Sequence, residues 1–299
     1  MSAVAAALAV LAALLAWPVP ALLRRARWPQ RDPVVALLLW QSIGLSGGLS
    51  LIGAPLVYGL TPWGASFPAA MRALLTGTGD ADPGLRYLVA LVLAAAIAVR
   101  LLSVLLRSTV TIARVRARQR GLLATVASPG TDPRTLLVDV ADLVAFCIPG
   151  DRPMIVLSEG LVSELDEAET AAVIAHENAH LTERHHLYLL PFVAWRQALP
   201  WLPGTNLAHT AVHDLVEMHA DDVAARTAGR RTLAHALART GAAAVPRGSL
   251  AVHAGPTTTR ATRLLQDQRP LPPRVRLMML ASAAALLLAP TGLLLLAGK

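Results

Sequence analysis

Residues 3–23, AVAAALAVLAALLAWPVPALL, carry no charged side chain. An uncharged run of that length is what an α-helix needs to cross the hydrocarbon core of a bilayer. No basic stretch precedes it, so it reads as a spanning helix rather than a cleaved signal peptide. Residues 34–59 form a second apolar run, rich in Gly and Ser, which lets neighbouring helices approach closely. Residues 87–106 form a third, with Arg100 inside it, and residues 277–297 a fourth. Composition agrees: 15% of residues are charged and the mean hydropathy is +0.52, whereas soluble domains carry about a quarter charged residues.

The basic residues then set orientation. Arg24, Arg25, Arg27 and Arg31 follow the first run, and Arg107, Arg114, Arg116, Arg118 and Arg120 follow the third. Residues 60–85 read as a Pro/Gly-rich loop in which Arg72 is balanced by Asp80 and Asp82. An outside N-terminus with three crossings places both basic regions in the cytoplasm. The expected organisation is three transmembrane helices in residues 1–106, a cytosolic domain in 107–274, and a C-terminal transmembrane helix in 275–299. The expected protein is an integral, multi-pass protein of the cell membrane, with the lipid bilayer as its first partner. Arg100 lies near the cytoplasmic end of its span and is expected to snorkel to the interface. The net charge of +8 does not indicate nucleic acid, because the arginines flank apolar runs and do not form a patch interleaved with aromatics. The single cysteine, Cys147, excludes a disulfide framework or a thiolate metal site and reads as a packing residue.

Within residues 107–274, TLLVDVADLVAFCIPG and PMIVLSEGLVSEL read as short β segments around a Pro-Gly-Asp turn. The segment near PMIVLSEG is expected to be an edge strand that could pair with an extended peptide. Asp166, with Glu169 three residues on, has the form of a capping box opening the helix DEAETAAVIAHENAHL. Residues 187–203 are apolar but interrupted by Pro191, Arg196 and Pro200, and read as a hairpin on or partly in the membrane. Residues 207–228 form a further helix. The fold class is therefore a mainly α membrane protein of about four transmembrane helices with a cytosolic α+β domain.

The chemistry concentrates in HENAHLTERHH, residues 176–186. His176 and His180 are one helical turn apart, so both rings can reach one metal ion, and Glu177 stands beside the first. This is the H-E-x-x-H arrangement of zinc hydrolases, in which zinc acidifies a water and polarises the scissile carbonyl while the Glu moves the water's proton. A catalytic zinc needs a third protein ligand. His186 stands where the metzincin pattern places its third histidine, but that pattern needs a Gly at the turn where this chain has Glu183. If the helix continues, His186 lies about 9 Å beyond His180 along the axis and on another face. The other candidates are Glu217 and Asp221, one turn apart in VEMHADDVA, of which one could ligate while the other orients a ligand histidine. Glu217 is favoured as the ligand. His185 and His186 read as the exposed end of the helix, and His219 as a surface or cleft residue.

HENAH followed after an apolar hairpin by Glu217 and Asp221 resembles the gluzincin membrane peptidases. The three-span start, cytosolic domain and fourth span, together with FCIPG and PMIVLSEGLVSEL, resemble the BlaR/MecR-like metallopeptidases, which are antirepressor signalling proteins. The resemblance implies a zincin-like domain with His176, His180 and Glu217 holding Zn2+, Glu177 as general base and Asp221 behind a ligand. RATRL resembles a later Arg-bearing motif of related peptidases, and implies that Arg260 stabilises the oxyanion or fixes Asp221. It further implies a protein or peptide substrate, such as a cytosolic transcriptional repressor. No S-x-x-K module follows the fourth run, so an extracellular penicillin-binding sensor is not expected. Two alternatives remain: a quality-control peptidase of the HtpX/Ste type, and a membrane scaffold or receptor whose metal site is structural.

Overall fold

The computed structural model describes residues 1–78, 83–130, 132–240, 257–266 and 269–296; Asp80, Asp82 and the end of the fourth apolar run lie outside them. The first run folds as α1 (Ser2–Ala16) and α2 (Pro18–Arg25), broken at Trp17 because Pro18 cannot continue the hydrogen-bond ladder. The second run is α3 (Pro33–Gly59), started by Asp32, whose carboxylate accepts from the Val35 N–H. The expected loop at 60–85 contains a short helix, α4 (Phe67–Thr76), capped by Ser66 and closed by Gly77 in the left-handed region at φ +65°.

The third run becomes α5 (Leu85–Val126), 42 residues long. At about 1.5 Å per residue it reaches roughly 60 Å, twice the hydrocarbon thickness of a bilayer. The expected domain boundary at 106/107 thus falls inside one continuous helix, whose second half carries the arginines. With the last helix, four helical segments among the described residues are long and apolar enough to cross a membrane: Ser2–Arg25, Pro33–Gly59, Leu85–Val126 and Pro273–Leu295. The Gly/Ser-rich α3 is the most buried of them, with α1, α5 and the last helix packed around it.

A sheet follows α5, made of β1 (Ala127–Pro129), β2 (Thr135–Val138), β3 (Ala145–Ile148) and β4 (Met154–Ser158) in the order β1-β2-β4-β3. β2 and β4 are parallel; the other pairs are antiparallel. β4, from PMIVLSEG, is therefore an interior strand and not the expected edge. Ile155, Val156 and Leu157 are all buried, so both faces of β4 are covered, and a continuous apolar run is the mark of such a strand. The edge beside the histidine-bearing helix is β3, which carries Cys147.

The remaining elements are α6 (Glu159–Glu164), α7 (Glu167–Thr182), α8 (His185–Ala198), α9 (Pro203–Ala228), α10 (Arg230–Thr240), α11 (Thr257–Leu265) and α12 (Pro273–Leu296). The apolar hairpin is α8 with the start of α9, and it docks onto the membrane helices. Phe192, Ala208, Ala211 and Val212 share one buried cluster with Leu37, Trp40 and Ile43 of α3. Gly48 makes room for it: a Cβ there would stand 2.6 Å from the Trp195 ring. Arg100 has partners within the protein. Its Nε donates to the Ala198 carbonyl at 2.7 Å, closing the C-terminal end of α8, and its guanidinium lies over Trp201.

Candidate metal centre

α7 begins with the expected capping box: Asp166 accepts from the Glu169 N–H at 2.7 Å, and Glu169 accepts from the Asp166 N–H at 3.2 Å. One face of α7 buries Ala172, Val173 and Ala179. That packing holds His176 and His180 side by side, with their Nε2 atoms 3.1 Å apart. α9 brings Glu217 across: Oε2 lies 3.5 Å from His176 Nε2 and Oε1 3.5 Å from His180 Nε2. One donor atom from each of the three residues falls within 4.8 Å of the others. A tetrahedral ion with bonds of about 2.0–2.2 Å spaces its donors roughly 3.3–3.6 Å apart. Two nitrogens and a carboxylate at these separations, all outer-sphere supported, fit zinc.

The supporting groups are buried. His176 Nδ1 lies 3.1 Å from Asp221 Oδ1, although its N–H does not point straight at that oxygen. Asp221 is fully buried at 0% exposure. Arg260, on α11, grips both carboxylates: Nε and one terminal nitrogen donate to Asp221 at 2.9 and 2.6 Å, and the other terminal nitrogen lies 2.9 Å from Glu217 Oε2. Such a fork suits paired carboxylate recognition.

These contacts set the charges. Burial would raise the Asp221 carboxyl, but Arg260 outweighs it and holds the group down at about 2. Burial acts the same way on Glu217, and Arg260 and His180 keep it well below the usual carboxylate range. For His176, burial disfavours the imidazolium, yet hydrogen bonding with Asp221 and Glu217 raises it to about 9. Burial lowers His180. The structure thus brings together His176, His180, Glu217, Asp221 and Arg260, with Glu177 adjacent on α7.

Glu177 is half-buried and lies beside Cys147 of the edge strand. The Cys147 thiol on β3 is pushed up by burial and by the Glu177 carboxylate beside it, which keeps it neutral. A neutral thiol is a poor nucleophile, so Cys147 serves as wall between β3 and α7. The open edge of β3 therefore runs past the H-E-x-x-H helix, where an extended peptide could pair.

One expectation is overturned. The helix does not continue through residues 183–186: α7 ends at Thr182, Arg184 turns into the left-handed region at φ +52°, and α8 starts at His185. His185 is not an exposed helix end. It is 1% exposed, with Nδ1 3.0 Å from His180 Nδ1 and Nε2 2.9 Å from His219 Nδ1. Burial, with His180 and His219 alongside, lowers its imidazole to about 3. His219, expected as a surface or cleft residue, is thereby a half-buried partner of the site. Arg is not a residue that announces a left-handed turn, so only the local density of histidines hinted at this arrangement. His186 stands outside the three-donor cluster, in the field of Arg116 and Arg184.

Residues 111–214 match the model of Peptidase family M48. No curated protein and no solved structure matches the chain. Over that stretch, about a third of the chain, the protein is similar to a metallopeptidase domain. The stretch includes His176, Glu177 and His180 and ends before Glu217, Asp221 and Arg260, which the fold brings to the same point.

Proposed function

We propose that the chain is a membrane-embedded zinc endopeptidase that works at the cytoplasmic face of the membrane on protein or peptide substrates. The observation that carries this is the convergence of two helix imidazoles and the Glu217 carboxylate beside an unliganded Glu177. His176, His180 and Glu217 would hold the zinc ion, which when bound would supply a Lewis acid for the carbonyl and for a water. Glu177 takes the proton of the attacking water and returns it to the leaving amine. Asp221 and Arg260 hold His176 and Glu217 in place. β3 aligns the substrate backbone.

The basic segments at 24–31 and 107–120 support an outside N-terminus and a cytoplasmic catalytic domain. A division into membrane helices in 1–106, a catalytic domain in 107–274 and a returning span in 275–299 accompanies that topology. A cavity of about 340 Å³ opens beside Glu217 and Arg260, lined also by Arg24 of α2, Gln30 of the loop after it and Trp40 of α3. Substrate segments presented close to the membrane fit that entrance, and a regulator such as a transcriptional repressor is the favoured class. A quality-control role uses the same chemistry, and the identity of cleaved proteins separates the two.

Metal content tests the ligand set. Wild-type protein is expected to hold one zinc, Glu217→Ala to lose it, and His186→Ala to retain it. Loss in His186→Ala with retention in Glu217→Ala would overturn the assignment. Proton linkage supplies a second prediction. The His176 value of about 9 lies above its ordinary 6.5, so its proton-bound stabilisation of the metal-free fold is full below 6.5 and fades as pH rises through 9. Ligation must displace that proton, so the apparent zinc affinity should rise about tenfold per pH unit across this window and then level off. A flat affinity between those values, measured by chelator competition, contradicts the arrangement.

A further inference from the structure

A neutral imidazole carries its proton on one nitrogen and accepts on the other, so a chain of touching rings has linked tautomers. The linkage here starts from the ligand role proposed above for His180 and rests on it. A ring that ligates through Nε2 carries its proton on Nδ1. His180 Nδ1 lies 3.0 Å from His185 Nδ1, so that nitrogen must be bare to accept. The proton of His185 is then on Nε2, 2.9 Å from His219 Nδ1, which accepts in turn. A single premise thus fixes all three rings. A doubly protonated His185 would set an N–H against the N–H of His180, and the contact would fail.

We infer that His185 is a positioning residue for the metal site, fixing the tautomer and ring orientation of His180 through a His180–His185–His219 relay. The fold is built to deliver it. Arg184, a non-glycine residue at φ +52°, reverses the chain immediately after α7 and turns His185 inward, where it is 1% exposed. Such a conformation is costly for Arg and persists where the surroundings demand it.

The relay also accounts for the difference between the two histidine ligands. His176 is backed by a carboxylate, Asp221, and His180 by a neutral ring. Glu177, Glu217 and Asp221 carry three negative charges, which a zinc ion and Arg260 balance. A further carboxylate behind His180 would leave a surplus negative charge in a buried site. An imidazole orients His180 without adding charge.

The test uses the full-length protein in detergent micelles with zinc as the only added ligand. Wild type is first titrated by chelator competition; absence of zinc binding there overturns the metal reading itself, independently of any variant. Given binding, His185→Phe should weaken zinc about 10–100-fold, the scale typical of lost outer-sphere partners. His185→Asn, whose side-chain oxygen reaches the Nδ1 position, should recover most of that loss, and His219→Ala should weaken zinc less than His185→Phe. Equal affinity in wild type and His185→Phe, or equal loss in the Phe and Asn variants, overturns the positioning role. If His185→Phe does not fold, nitrogen-15 spectra of zinc-loaded wild type decide: Nδ1 bare and Nε2 protonated on His185 supports the relay, and the opposite tautomer refutes it.

Discussion

Glu177→Gln is expected to slow peptide-bond cleavage by about 10²–10⁴-fold while leaving zinc bound, because it removes a proton carrier and not a ligand. Glu177 is not one of the three residues whose donor atoms converge, so the metal should not depend on it. The amide has nearly the same size and can still hydrogen-bond a water, but it cannot accept the proton that the attacking water must lose. The loss should therefore fall on the chemical step, with substrate affinity largely kept. Because the substrate is to be found, the measurement begins by comparing newly formed protein N-termini in membranes that carry wild type and Glu177→Gln. Termini present only with wild type identify substrates, and single-turnover rates on one of them give the factor. Identical termini in both, with zinc bound in both, would favour a scaffold with a structural ion. Loss of zinc from Glu177→Gln would instead make Glu177 part of the metal's own shell.

The sequence shows α7 and the long apolar helices clearly, for physical reasons that are local. A spanning helix needs only length and the absence of charge, and α7 announces itself through Asp166 and Glu169 and through its buried periodic positions. What stayed hidden depends on distant partners. Strand order cannot be read from PMIVLSEG alone, since whether β4 is covered on both sides is decided by where β2 and β3 lie. The turn at Arg184 has no composition signal, so a helix that appeared to run on is broken, and His185 swings into the site. Arg260 lies in a basic stretch 39 residues beyond Asp221; only resemblance to related peptidases picked it out, and only the fold shows both carboxylates in its grip.

That grip carries the other large expected effect. In Arg260→Leu the fully buried Asp221 loses its bidentate partner and keeps His176, and Glu217 loses the same guanidinium. Removing one member of a buried ion pair costs about 3–5 kcal/mol, against a usual total stability of about 5–15 kcal/mol. The metal-free protein should therefore melt at a distinctly lower temperature in detergent. Zinc should restore part of the loss, because its charge faces the same Glu217 carboxylate that Arg260 neutralises. Arg260→Lys should fall between, since one ammonium cannot span two carboxylates as the fork does. Acid sensitivity moves with the same interaction. The Asp221 carboxyl at about 2 lies below its ordinary 3.8, so it stabilises the fold above 3.8 and that contribution is lost as pH falls through 2. Without Arg260 the carboxyl rises, and the acid-induced loss should start at higher pH. Adding Asp221→Asn to Arg260→Leu removes the stranded charge and should recover part of the stability. If Arg260→Leu melts with wild type and the double variant gains nothing, the ion pair is not what holds α11 against α9. The site's carboxylates would then need another source of compensation.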